Sequence, residues 1–442
     1  MASAAVDASE YFVNKDTSKE TLADSVFSKG FIAEKLAENH HMLRSMLQKL
    51  LKIREMAAND ICGAKGFCSQ IYHIVVLLES SNGMMEEKIS VILKVFSNER
   101  IENLLNTWGD TNGSNGEGNI SVWKPDKEMI DKVRKIHNIE CDFYNHFRKI
   151  SKDILPLPEI YYTQKTDMAT NKPGIIIMED LTEKAYMVPL SKGLTVQQVK
   201  NVVECLAKFH YYLLCEADQS WKETFKKSIF EGEFKDCAEA AIMGVALNCN
   251  REVFEEPLKR LRKAVDYEFG MYCYKGCAAE VGLPVLLVHG DLWSNNLMWK
   301  RQENGKLSDN VAAIIDWQIL YKGNFTLDIA RLIVICCDSD VRLELESCIV
   351  EHYYEIFSHL MLTAGKEMGY NLEQLKKAYQ YASINMAFVL CYESSCYKQS
   401  IEGEDSADES TNEKLERFWK RARSALDDTV NMLQKVAPEW LT

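Results

Sequence analysis

A chain of 442 residues with a formal net charge of −13 is long enough for two lobes, and its excess of acid argues against a nucleic-acid-binding surface, because phosphate backbones select basic patches. Apolar content of 47% and charged content of 26% are ordinary for a globular protein, and no apolar run approaches the roughly 18 residues that suggest a membrane helix. The N-terminus MASAAVDASEYFVNKD lacks the basic start and apolar core of a signal peptide, and the 14 cysteines are scattered without paired C-x₂-C spacing. Reduced thiols in a cytoplasmic protein, with no membrane or nucleic-acid partner, are therefore expected.

The apolar spacing of ENHHMLRSMLQKLLKIREMAA predicts a helix over 38–58. SQIYHIVVLLE (69–79) and KISVILKVF (88–96) read as strands joined through an Asn-Gly turn. The polar, glycine-rich TWGDTNGSNGEGN (107–119) reads as a flexible surface excursion, followed by a helix over 127–150 and strands in PEIYYTQ and GIIIMEDL. From 196 onward the chain is mainly helical. A long amphipathic helix opens at an N-capping Thr195, and further helical stretches cover 251–280 and 326–365. Short strands around loops interrupt this at 284–318, and the acidic run 402–413 reads as a solvated loop before a final helix. The expected class is α+β. An N-terminal extension (1–34) precedes a small β-sheet lobe with a helix (35–181) and a larger, mainly helical lobe (182–442).

The stretch VHGDLWSNNLMW (288–299) carries more polar chemistry than a turn requires. His289, Asp291 and Asn296 stand in the spacing H-x-D-x-x-x-x-N, and twenty residues later the apolar strand AAIIDW ends in Asp316. This pattern suits phosphoryl transfer. Asp291 would take the proton of an attacking hydroxyl. Asn296 and Asp316 would hold magnesium, a hard cation that prefers oxygen ligands. His289 would be a scaffold for the loop. In the first lobe, Lys94 lies within the apolar strand VILKVF, where an unpaired ammonium is costly, and Glu140 on the next helix is its expected partner. Gly63 and Gly66 precede the first of the two strands and fit either a phosphate-facing loop or a bend. IMEDL would connect the lobes, with backbone groups of Glu179 to Leu181 at the adenine edge of ATP. Trp293, Trp317 and Tyr321 are aromatic candidates for stacking on an acceptor, Trp317 being better explained as core.

With these residues in place, VLLVHGDLWSNNLMW, AAIIDWQ and TLDIARLI resemble the CHK-kinase-like group, which includes ecdysteroid-kinase-like proteins and a large nematode branch. That group is similar to choline kinases and aminoglycoside phosphotransferases. LAKFH (206–210) and ECDFY (140–144) match the same group, and the resemblance spans about 35–400. It implies a protein-kinase-like two-lobed fold that uses ATP and magnesium to phosphorylate a small-molecule hydroxyl. Secondary metabolites, steroids and xenobiotic conjugates are the acceptor classes it suggests. It also implies a structural role for Asp328. The sparse glycine stretch departs from the neighbouring families. A nucleotide-binding pseudokinase with a regulatory role is the alternative. Loss of Lys94, Asp291, Asn296 or Asp316 would favour it, and all four are present.

Overall fold

A computed structural model describes residues 7–61, 69–96, 127–167, 169–170, 172–226, 238–404 and 409–441. Gly63, Gly66 and the excursion 107–119 lie outside the described residues. The described chain forms two compact units, one of residues 7–96, 127–148 and 158–182, the other of 149–157 and 183–441.

The first unit is built on a five-stranded sheet in the order β1-β2-β3-β5-β4, with β1 Lys52–Asp60, β2 Ser69–Glu79, β3 Glu86–Phe96, β4 Ile160–Gln164 and β5 Ile175–Glu179. Every pairing in it is antiparallel. Alternate residues of β2 (Tyr72, Ile74, Val76, Leu78) are buried, as a sheet with one face on a core requires. Helices α1 (Lys29–Asn39) and α2 (His41–Gln48) precede the sheet, and α3 (Lys127–Phe147) runs between β3 and β4.

The helix expected over 38–58 is not continuous. His40 caps both α1 and α2, Leu50 turns through a left-handed φ of 63°, and residues from Lys52 enter β1. Residues 7–28 also belong to this unit's core. Phe12, Leu22 and Phe27 are buried, and Phe12 forms a parallel bridge to Ile53.

The second unit is mainly helical. Its helices of eight residues or more, among those described, are α4 Val196–Cys215, α5 Ala238–Cys249, α6 Arg251–Leu261, α7 Thr326–Cys336, α8 Ser339–Glu346, α9 Ile349–Thr363, α10 Leu372–Tyr392, α11 Ser394–Glu402 and α12 Thr411–Val436. Thr195 closes a capping box with Gln198 at the start of α4. The stretch 251–280 breaks after α6 into short turns, including a π-helical turn at Tyr272–Gly276. Two small sheets interrupt the helices: β10 (Tyr321–Gly323) pairs with β7 (Leu286–Val288), and β6 (Ala185–Tyr186), β8 (Leu297–Arg301) and β9 (Leu307–Ile314) form a second. The acidic run is not wholly solvated, since Glu404 accepts hydrogen bonds from the amide and hydroxyl of Ser191. An α+β chain with an antiparallel sheet unit followed by a mainly helical one is what the sequence led us to expect.

Candidate functional site

The loop after β7 is held from below by helix α7. Asp328, in the first turn of α7, accepts the amide of His289 at 2.7 Å and that of Gly290 at 3.0 Å. Gly290 has φ +83°, and a Cβ there would sit 2.9 Å from the carbonyl oxygen of Ile319, so the bend needs glycine. Burial pushes the Asp328 carboxyl up to about 7, against the two amides it accepts.

His289 is fully buried. Its Nδ1 accepts the amide of Asp291 at 3.2 Å, which leaves Nε2 to donate to the Ile315 carbonyl at 3.0 Å. Burial drives its pKa down to about 4, so the ring stays neutral and joins the loop to the end of β9. Its two hydrogen bonds therefore tie the loop to the chain just past β9.

The Asp291 carboxylate lies in a fork. Arg331 Nη2 donates to Oδ1 at 2.5 Å and Asn296 Nδ2 to Oδ2 at 3.1 Å, while the same Asn296 amide also donates to the Asp291 carbonyl at 2.8 Å. Burial raises the Asp291 pKa to about 6, with Arg331 opposing the shift.

Strand register brings Asn296 and Asp316 to the same end of one ribbon. Leu297 faces Ile314 across β8 and β9, and the Ile315 amide donates to the Asn296 carbonyl at 3.0 Å, so both lie at one end of that ribbon. Asp316 takes a left-handed φ of 66°, a strained conformation for a residue with a Cβ. The Asn296 Nδ2 is spent on Asp291, which turns its amide oxygen toward other partners. One neutral and one anionic oxygen are the kind of donors a hard cation such as magnesium takes, and two protein ligands would suffice where nucleotide phosphates and water complete the shell. Among the described residues, no cluster of three or more His, Cys, Asp or Glu is placed to hold a metal ion.

In the first unit, Lys94 Nζ and Glu140 Oε2 are 2.6 Å apart, with side chains only 8% and 1% exposed. The sequence-expected pair thus comes together on β3 and α3. Glu179 ends β5, and its amide donates to the Glu159 carbonyl at 2.8 Å, so that donor is committed to the chain. Leu181, two residues on, is buried.

Tyr321 and Trp317 are core residues. Both are buried, Tyr321 stacks on Tyr274 with ring centroids 3.9 Å apart, and Trp317 Nε1 donates to the Ile314 carbonyl. Trp293 is buried too and packs on Tyr397, with ring centroids 5.4 Å apart.

Sequence reasoning missed Arg331 and left Glu393 without a role. Arg331 bridges Asp291 and Glu393, whose Oε2 accepts Nη2 at 2.7 Å. The available signal was the three-residue spacing from Asp328, which puts Arg331 on the same helix face.

Comparison with known proteins adds a lineage to this geometry. The family DUF1679, described as "Uncharacterized oxidoreductase dhs-27", matches residues 35–435. The chain belongs to the DUF1679 family. Uncharacterized oxidoreductase dhs-27 of Caenorhabditis elegans is 27% identical to this DUF1679 protein over 332 residues, 74% of this chain. The chain spans only 38% of that relative's length. Uncharacterized kinase-like protein D1044.1 of the same organism is 24% identical over 302 residues, covering 68% of this chain and 78% of the relative. Among solved structures, a putative aminoglycoside phosphotransferase from Ralstonia eutropha is 10% identical, covering 89% of this chain and 98% of that one, with a TM-score of 0.40.

Proposed function

We propose that this DUF1679 protein is an ATP- and magnesium-dependent phosphotransferase of the CHK-kinase-like, protein-kinase-like type that phosphorylates a hydroxyl of a small molecule. One observation carries the reading: a half-buried, forked carboxylate at Asp291 lies in the same loop and ribbon as the oxygen-bearing side chains of Asn296 and Asp316. The acceptor oxygen attacks the γ-phosphorus and passes its proton to the Asp291 carboxylate. The bond from γ-phosphorus to the bridging oxygen breaks, and ADP leaves. Magnesium, held by Asn296 and Asp316, would offset charge on the phosphates. Lys94, steadied by Glu140, would position phosphate, and the backbone at Glu179 to Leu181 would meet the adenine edge. The cysteines among the described residues are free thiols, which suits a cytoplasmic setting.

The word "oxidoreductase" in a relative's name finds little support in this chain. A dinucleotide-binding unit is built on a mostly parallel sheet with a G-x-G-x-x-G turn. That spacing is absent from the sequence, and the sheet of the first unit is antiparallel throughout. The intact Asp291, Asn296, Asp316 and Lys94 likewise favour catalysis over the pseudokinase.

The test is transfer from γ-labelled ATP with magnesium to a metabolite extract, with products read by mass. Asp291→Ala should lower transfer by about 10²–10⁴-fold while magnesium–ATP affinity stays near that of the parent. Transfer that survives Asp291→Ala would rule out the base. Magnesium–ATP binding with no product under any acceptor would instead favour the regulatory pseudokinase.

A further inference from the structure

Asp328 and Arg331 are three residues apart on α7 and grip the same loop at two points, one through its amides and one through its carboxylate. We propose that Arg331 is a positioning residue that fixes the rotamer of Asp291, and that Glu393 holds Arg331 in place from the far side. This rests on Asp291 being the base.

An aspartate side chain has three staggered χ1 wells, and phosphoryl transfer tolerates little error in where its carboxylate sits. Arg331 at 2.5 Å and Asn296 at 3.1 Å engage one oxygen each and select a single well. A carboxylate has about four acceptor positions, so the fork leaves room for an acceptor hydroxyl. The Asp291 side chain is 21% exposed and reachable, whereas that of Arg331 is 4% exposed, so Arg331 acts through Asp291.

The guanidinium is itself pinned. Glu393, between α10 and α11, accepts Nη2 at 2.7 Å and Nη1 at 3.5 Å. Tyr397, one turn further along α11, donates its hydroxyl to the same Glu393 oxygen and packs on Trp293. Arg331 Nε is buried with no hydrogen-bond partner among the described residues. The side chain thus directs its Nη edge to two acids, Asp291 on one side and Glu393 on the other.

Removing Arg331 alone strands Glu393, so the main variant is the matched pair Arg331→Met with Glu393→Gln. It should fold, bind magnesium–ATP as the parent does, and lose about 10²-fold in kcat with little change in KM for ATP. Arg331→Lys keeps the charge without the fork and should recover part of that loss. Added to Asp291→Ala, the pair should cause little further loss. A crystal structure of the matched pair should show Asp291 in more than one rotamer. Parent-like kcat in the matched pair, or Asp291 held in the parent rotamer, overturns the proposal. If Asp291→Ala is as active as the parent, the base reading fails, and the crystal structure still decides whether Arg331 sets the rotamer.

Discussion

Two buried cations, one in each unit, meet their carboxylates in different settings. Lys94 lies on a strand of the first unit and forms a 2.6 Å ion pair with Glu140 from α3. Arg331 lies on a helix of the second unit and is shared by Asp291 and Glu393, which reach it from a loop and from a helix junction. An ammonium is a point charge that one carboxylate can meet, while a guanidinium presents an edge to several. The first arrangement suits holding a mobile phosphate, and the second suits fixing the direction of a neighbouring carboxylate.

Removing one acid from each cluster should separate them most clearly. Glu140→Ala leaves the Lys94 ammonium in a buried site and should cost about 3–5 kcal/mol in urea unfolding. Glu393→Gln leaves Arg331 its bond to Asp291, so about 1–3 kcal/mol is expected. Equal losses would mean the two clusters are energetically alike.

Away from the loop, His137 in the first unit and His210 in the second are also kept neutral by burial. Burial lowers His137 to about 4 against its bond to the Gln164 carbonyl, and lowers His210 to about 3. Both folded values lie below the unfolded value of about 6.5, so the unfolded chain binds more protons in between. Their contribution is complete above about pH 6.5 and declines as pH falls toward 4 for His137 and 3 for His210, by roughly 1.4 kcal/mol per unit each. Urea midpoints measured from pH 7 to 4.5 check this, and His210→Gln should make the pH dependence of the second unit shallower, with the part due to His289 remaining.

Smaller effects belong to the loop alone. Gly290→Ala should cost about 1–2 kcal/mol for its positive φ, and somewhat more for the approach to Ile319, in thermal unfolding. Asn295→Ala removes a 3.0 Å bond to Ser400 on α11 and should cost about 0.5–1.5 kcal/mol, with magnesium–ATP binding unchanged.

Lys94 was legible because a lone charge in VILKVF contradicts its surroundings, and Asp291, Asn296 and Asp316 because their spacing is too polar for a turn. Arg331 was not, since an arginine in a helix is commonplace and its partners lie 40 and 62 residues away. The lost helix over 38–58 has a local cause. A register shift between Ile53 and Glu55 puts the buried residues Ile53 and Met56 three apart, and that imitates helical spacing within a strand. Cross-strand pairing with β2 then overrides the helix preference of Arg54 and Glu55.

The ribbon of β8 and β9 has two unlike ends. One carries Asn296 and leads to Asp316. At the other, an exposed turn closes through Gln302 and Lys306, with Gly305 at φ +76° and open space where its Cβ would go. A fluorophore or short peptide tag inserted at that turn would sit at the opposite end of the two strands from Asn296 and Asp316. It would report on ligand-driven movement of the ribbon without touching the chemistry.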